Sequence, residues 1–360
     1  MLVRDFINDS LYNPNYGFFA KQPISFNNKE KECEGDEDYI RLMSTIARTH
    51  GGVQSPHSYS STELFQPWFA HAIAKYMVVE YKLSLYPHKD LIIYELNGGK
   101  GRLMPYILDY IKQHEPSVYQ RTQYNLIELP HTAHQHIPEY DCPMTRFEQS
   151  IFDWNKLVTE QCFILGSEVL TRLGHDMIQY QGMTPHQGLV CIDSQGHYHQ
   201  LFEPVGSDPL INRYLGFRKK LKTPSPNRTW DRFKRLSLSS NINDTYEFVP
   251  TKLFQLLDIL RSYFPEHRLI LTDYSSLPHA IEGLNAPLVQ TPYKDRMVRC
   301  KTFRLPPGWY DIMFPTNFEL LKETYHLMCH KRVKVLNLET FVERYEKTRK
   351  RASNMKVFLT

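Results

Sequence analysis

The stretch LIIYELNGGKGR at 91–102 constrains the fold more than any other part of the chain. An apolar run (Leu91, Ile92, Ile93, Tyr94) ends in an acid, Glu95, and then a glycine-rich turn leads into a helix predicted from Arg102 to about His114. A continuous apolar strand followed by a crossover helix is the opening unit of a parallel α/β sheet buried on both faces. Gly98, Gly99 and Gly101 lack the Cβ that keeps a ligand away from the backbone, and the N–H groups of the next helix would point at such a ligand. Taken alone, the segment admits two readings, a plain strand-turn-helix or a seat for a nucleotide-like ligand.

The spacing narrows the second reading. A dinucleotide fingerprint needs a small residue three places after Gly101, where Met104 stands. A phosphate-cradling loop fails twice, with Tyr94 at its first glycine position and Gly101 at its hydroxyl position. What remains is an acid followed by a glycine-rich turn, with Asn97 at the first glycine position. Asparagine tolerates positive φ better than other non-glycine residues.

Along the chain, strands predicted at 91–96, 123–128, near 143–147, 162–166 and 268–273 alternate with helices at 102–115 and 252–263. This rhythm predicts an α/β, Rossmann-like sheet with helices on both faces. A helical pattern of Leu64, Phe65, Trp68, Phe69, Ile73 and Met77 precedes it, with Thr62 as N-cap, and residues 2–26 read as a packed helical arm. Residues 185–245 break the rhythm: a β-hairpin (Gly188–Asp193, His197–Phe202) precedes a basic, aromatic-rich stretch at 213–236. The stretch reads as a solvated helix and loop, although its basic face would also suit an acidic protein, RNA or a membrane. The expected organisation is an arm and helical region at 1–90, a first core part at 91–184, an insertion at 185–245 and a second core part at 246–360. The tail predicts a strand at 332–336, a helix near 338–350 and a last strand at 355–359.

At 360 residues, 41% of them apolar and 13% aromatic, the chain can bury a large core. Its formal charge of +4 is too small at this length to imply a nucleic-acid partner. Six cysteines without a C-x-x-C argue against a zinc ribbon or a disulfide framework. His326 and His330 have a metal-like i, i+4 spacing without an evident third ligand, and no metal is expected. No apolar run long enough for a membrane span and no leader-like segment after Met1 are read in the sequence.

Two further acids end predicted strands. Glu128 closes YNLIE, where a carboxylate can accept hydrogen bonds from ribose hydroxyls. Glu168 follows the strand at 162–166, where it could steer a cationic substrate, accept a proton, or simply charge a helix start.

Seven segments, in order, resemble the MidA family of mitochondrial and bacterial methyltransferases. They are LYNPNYGFF, YELNGGKGRLM, YNLIELP, GSEVLTRLGHDMIQY, YEFVPTKLFQLLDIL, RLILTDYSSLP and GWYDIMFPTNFELL, spanning about residues 2 to 330. Three departures stand out: Asn97-Gly98 for a family Gly-Pro, Ser167 for Asn, and Thr171 for Asp. The resemblance implies S-adenosyl-L-methionine as cofactor, held by Glu95, Asn97, Gly99, Gly101 and Glu128, with Asp153 beside the adenine. It further implies transfer to a protein arginine, of the symmetric dimethylarginine type, with Glu168 and Asp273 as the carboxylates that handle the guanidinium. A mitochondrial location and a respiratory-chain subunit as protein substrate belong to the same implication. The alternative is a degenerate methyltransferase fold that serves as a non-catalytic binding or assembly factor.

Overall fold

The computed structural model describes residues 1–20, 66–96, 103–129, 139–182, 184–206, 208–221, 246–277, 280–281, 283–293, 296–346 and 354–360. Its strands, in chain order, are β1 (Leu91–Leu96), β2 (Thr122–Glu128), β3 (Met144–Glu148), β4 (Cys162–Ser167), β5 (Asp176–Gln181), β6 (Thr184–Ile192) and β7 (Tyr198–Pro204). There follow β8 (Tyr246–Val249), β9 (His267–Tyr274), β10 (Leu288–Tyr293), β11 (Arg296–Arg299), β12 (Asp311–Met313), β13 (Lys334–Asn337) and β14 (Met355–Leu359). The helices are α1 (Val3–Tyr12), α2 (Trp68–Ser84), α3 (Leu103–His114), α4 (Pro116–Tyr119), α5 (Pro209–Arg218), α6 (Thr251–Tyr263), α7 (Phe318–Cys329) and α8 (Leu338–Glu346).

The central sheet has seven strands in the order β13-β14-β9-β4-β1-β2-β3. β1, β2, β3, β4 and β9 pair in parallel, whereas β14 runs antiparallel to both β9 and β13. The chain steps from β1 outward through β2 to β3, then returns to the other side of β1 for β4 and β9. The order therefore reverses between β1 and β4, and the carboxyl ends of strands at such a switch point are where α/β sheets bind ligands.

Side-chain alternation on the strands builds two cores. On one face Ile93, Tyr124, Leu126, Phe163 and Leu165 pack against α2, α3 and α8. On the other, Tyr94, Leu96, Ile127, Cys162 and Ile164 pack against α6 and α7. α3 contributes Leu103, Met104, Ile107, Leu108 and Ile111, a stripe at i, i+3, i+4 spacing. Its Pro105 sits in the first turn, where no intrahelical donor is lost, and Lys112 and His114 suit the negative end of its dipole. The helix expected from Thr62 begins instead at Trp68, with Pro67 as its N-cap. A start at 62 would have placed Pro67 inside the helix, where its ring clashes with the preceding turn. Thr62 itself lies outside the described residues.

A second, antiparallel sheet has the order β7-β6-β5-β8, so the expected hairpin is joined by strands from either side of the 185–245 stretch. α1 packs its Val3, Phe6, Ile7 and Leu11 against Met177, Val190, Phe248 and Phe314. Arg4 fixes the arm electrostatically: Nη1 donates to Asp176 Oδ2 at 2.7 Å, and the guanidinium also pairs with Asp208. Thr251 Oγ1 donates to the same Asp176 oxygen at 2.5 Å, tying the arm to α6. Gly174 is needed there, because a Cβ would come within 2.7 Å of the Arg4 carbonyl oxygen. Of the basic stretch, Arg213 pairs with Asp258 and Arg218 with Glu247, so these two cations serve packing. A three-stranded sheet, β11-β10-β12, which the sequence did not suggest, brings Asp311 to the end of β4.

Candidate functional site

The carboxyl ends of β1 and β2 present two buried acids. Ile93 pairs with Tyr124 and Glu95 with Leu126, so Glu95 shares a face with Tyr124 and Glu128. Tyr124 donates its hydroxyl proton to Glu95 Oε2 at 2.8 Å. Burial pushes the Glu95 carboxyl up to about 7, with the Glu128 charge adding to it and the Tyr124 hydrogen bond opposing it. Glu128 is 0% exposed. Burial also raises its pKa, against the pull of Arg146, whose Nη2 lies 2.6 Å from Oε2. Oε1 has no hydrogen-bond partner among the described residues. A buried carboxylate oxygen left without a donor costs free energy that a ligand's hydroxyls can recover.

A second group lies at the ends of β4 and β9. Glu168 adopts a left-handed conformation, φ 55°, unusual for a residue with a Cβ. Its N–H donates to the Thr272 carbonyl at 2.8 Å, which pins the turn to β9. The side chain accepts from the Tyr274 hydroxyl at 3.3 Å and lies 3.6 Å from Arg172 Nη1. Asp273 is 0% exposed and accepts from the N–H groups of Thr171 at 2.9 Å and Tyr274 at 2.8 Å. Burial nevertheless takes its pKa up to about 7, the two backbone donors only moderating the effect. The Asp311 carboxylate faces Arg172 from β12, with Nε to Oδ1 at 3.3 Å and Nη2 to Oδ2 at 3.4 Å. Burial would lower the Arg172 pKa, but the charges of Asp311 and Glu168 outweigh it and the net displacement is upward. Phe19, from the arm, lies beneath the guanidinium at 5.3 Å.

The acids expected from the sequence thus form two neighbouring groups, Glu95 with Glu128 and Glu168 with Asp273. Asp153 ends a short 3-10 turn at 151–153, is exposed, and its charge acts on Lys252. Asn97, Gly99 and Gly101 lie outside the described residues. Arg172 and Asp311 were not singled out in the sequence. The i, i+4 spacing of Glu168 and Arg172, and the aspartate within GWYDIMF, were their available signals.

The residues present fit a nucleoside-bearing cofactor. Glu128, at the end of β2, keeps a buried carboxylate oxygen that is free among the described residues to accept from a ligand hydroxyl, and the acid at the end of β1 adjoins the switch point.

Comparison with known proteins agrees. The chain is 23% identical, over 95% of its length and 79% of the relative's, to a Schizosaccharomyces pombe protein named protein arginine methyltransferase NDUFAF7 homolog, mitochondrial. The protein of the same name in Saccharomyces cerevisiae is 22% identical over 61% of this chain and 54% of its own. Among solved structures, a Burkholderia thailandensis protein bound to S-adenosyl-homocysteine has a TM-score of 0.60 at 12% identity, covering 100% of this chain and 87% of that one. This likeness shows the fold. No helix of the described residues is long and apolar enough to cross a membrane. The model of the family described as "Putative S-adenosyl-L-methionine-dependent methyltransferase" matches residues 72–336. The chain therefore belongs to this family of methyltransferases, and S-adenosyl-L-methionine is its cofactor.

Proposed function

We propose that this protein transfers a methyl group from S-adenosyl-L-methionine to an arginine of a protein substrate, with a symmetric dimethylarginine product. The observation that carries the arginine reading is that Glu168 and Asp311 together already face a guanidinium, that of Arg172. The names of the two yeast relatives support the same substrate class and a mitochondrial setting, and a respiratory-chain subunit as the protein substrate is part of the same proposal.

When bound, the cofactor supplies an electrophilic methyl on a cationic sulfur. Glu128 would accept the ribose hydroxyls through Oε1, which has no partner among the described residues. Glu95 would hold the methionine and sulfonium region, where a positive charge would favour its ionised form. Asn97, Gly99 and Gly101, outside the described residues, are assigned to the cofactor turn on sequence alone, because residues without a bulky Cβ would let a ligand approach the backbone, and Asp153 would flank the adenine. Glu168 orients the acceptor guanidinium and takes its proton, and Asp273 fixes the turn that carries Glu168 through its bond to Thr171.

The test is transfer of labelled methyl groups to mitochondrial proteins, followed by mass spectrometry. Label on arginine that disappears in Glu168→Ala supports the proposal; label confined to other residue types refutes it. A non-catalytic binding factor is the second reading, favoured by the engagement of Glu168 with Arg172 and by Thr171 in place of the family aspartate. It requires cofactor binding without any transfer.

A further inference from the structure

Among the described residues, Arg4, Arg172 and Arg218 have side chains no more than 16% exposed and form ion pairs, and their geometries differ. Arg4 Nη1 lies 2.7 Å from Asp176, and Arg218 Nη1 lies 2.8 Å from Glu247. These are distances of about 2.7–2.9 Å, as expected for charge-assisted hydrogen bonds. Among the described residues Arg172 makes no carboxylate contact that short: 3.3 and 3.4 Å to Asp311 and 3.6 Å to Glu168 Oε2, with a further 3.5 Å contact to the Glu168 carbonyl. Its guanidinium nevertheless has everything a guanidinium seat offers. Carboxylates approach its edges from two elements, and the Phe19 ring supports its face at 5.3 Å.

The seat also carries more negative charge than one arginine neutralises. Glu168, Asp311 and Asp273 all act on Arg172, and Asp273 is held near the point of half-ionisation, up to about 7. It stands at the carboxyl edge of β4, the strand that flanks the switch point, not at the opposite edge, where a purely structural pair would serve equally well. Glu168 is presented there by a strained left-handed turn, φ 55°, and such strain concentrates at working sites.

We propose that the seat between Glu168 and Asp311 is the acceptor-arginine site, and that Arg172 is its resident occupant, displaced when the guanidinium of a protein substrate enters. This rests on the methyltransferase reading given above and names what regulates access to that site. Arg172 is then a specificity-determining residue: only a side chain that can replace one planar cation by another gains the seat. The loose contacts make the exchange feasible. Because a bound state populated only when Arg172 has left shows a weakened apparent affinity, removing Arg172 should strengthen acceptor binding.

The experiment titrates the full chain with L-arginine amide, and in parallel with the neutral isostere L-citrulline amide, each with and without saturating S-adenosyl-homocysteine. Arg172→Ala and Arg172→Gln are compared with the unsubstituted protein. Arginine amide is expected to bind both variants about tenfold more tightly or better, citrulline amide should gain nothing, and S-adenosyl-homocysteine affinity should hold. Variants that fold but bind arginine amide no better than the unsubstituted protein overturn the proposal, as does an equal gain for citrulline amide. Should neither variant fold, the Arg172 Nε–H resonance of the unsubstituted protein decides: it moves on adding arginine amide if Arg172 is displaced, and stays if the pair is structural. Failure of S-adenosyl-homocysteine to bind would count against the methyltransferase reading alone, since the amide titrations without it still report on the seat.

Discussion

Glu128→Gln is the perturbation whose outcome follows most closely from the geometry. Glu128 is fully buried, its Oε1 is unpartnered, and its other oxygen faces Arg146 at 2.6 Å. If ribose hydroxyls donate to this carboxylate, each hydrogen bond to a charged acceptor contributes about 1.5–3 kcal/mol. Glutamine keeps the shape and one acceptor oxygen but loses the charge, so the expected loss is about 1.5–3 kcal/mol, or roughly 10- to 150-fold in Kd. The fold should tolerate the change. Burial already disfavours the Glu128 charge, so its removal offsets part of what Arg146 loses. The assay is calorimetric titration with S-adenosyl-L-methionine and S-adenosyl-homocysteine, with thermal unfolding measured alongside. A cooperatively folded variant whose Kd stays within about threefold of the unsubstituted protein would refute the assignment of Glu128 to the ribose.

Glu95 and Asp273, both held near 7, make stability pH-dependent. Each acid binds its proton more tightly folded than unfolded, so its own contribution to the stability of the cofactor-free protein should fall as pH rises from about 4 to 7, by on the order of 3 kcal/mol per group at most. Buried His175 and His267, held down to about 4, act in the opposite sense. The measurement is therefore the denaturation midpoint against pH of the unsubstituted protein beside Glu95→Gln and Asp273→Asn, and curves that run parallel contradict the assignment. Affinity for S-adenosyl-L-methionine should increase through pH 7 more steeply than affinity for the neutral thioether S-adenosyl-homocysteine, because the sulfonium favours ionised Glu95, and parallel pH profiles would count against that placement. Glu168→Ala should abolish methyl transfer while leaving cofactor affinity within about threefold, since its contacts run to Arg172 and Tyr274; a large loss of cofactor affinity would move Glu168 out of the acceptor site. Arg4→Ala leaves Asp176 buried without its cation and should destabilise the fold by about 3–5 kcal/mol, read as a lowered denaturant midpoint; an unchanged midpoint would show that the arm is not held by this pair.

Much of this architecture was legible because parallel strands buried on both faces leave long apolar runs. LIIYEL, YNLIE and RLILTD each became a strand of the central sheet within a residue or two of its expected ends. The acids that end these runs were legible for the same reason, since the last residues of a buried parallel strand lie at the carboxyl edge of the sheet. Pairing across distant elements was not legible. Asp311 reaches Arg172 across 139 residues of sequence, from a short three-stranded sheet whose strands carry no strong periodic signal. The left-handed turn at Glu168 was hidden too, because it is imposed by the Thr272 carbonyl of a neighbouring strand and not by a glycine or asparagine at that position. The start of α2 was misplaced because the apolar pattern runs through Pro67 while the helix does not.

The most direct measurement is of cofactor binding at the switch point between β1 and β4. Isothermal calorimetry of the full chain with S-adenosyl-L-methionine should give one site with a Kd on the order of 1 μM, about −8 kcal/mol. A thermal shift should accompany it, and both should vanish in Gly101→Val, where a branched side chain enters the turn after β1. Saturating cofactor that produces neither heat nor a thermal shift in the unsubstituted protein would contradict cofactor binding at this site.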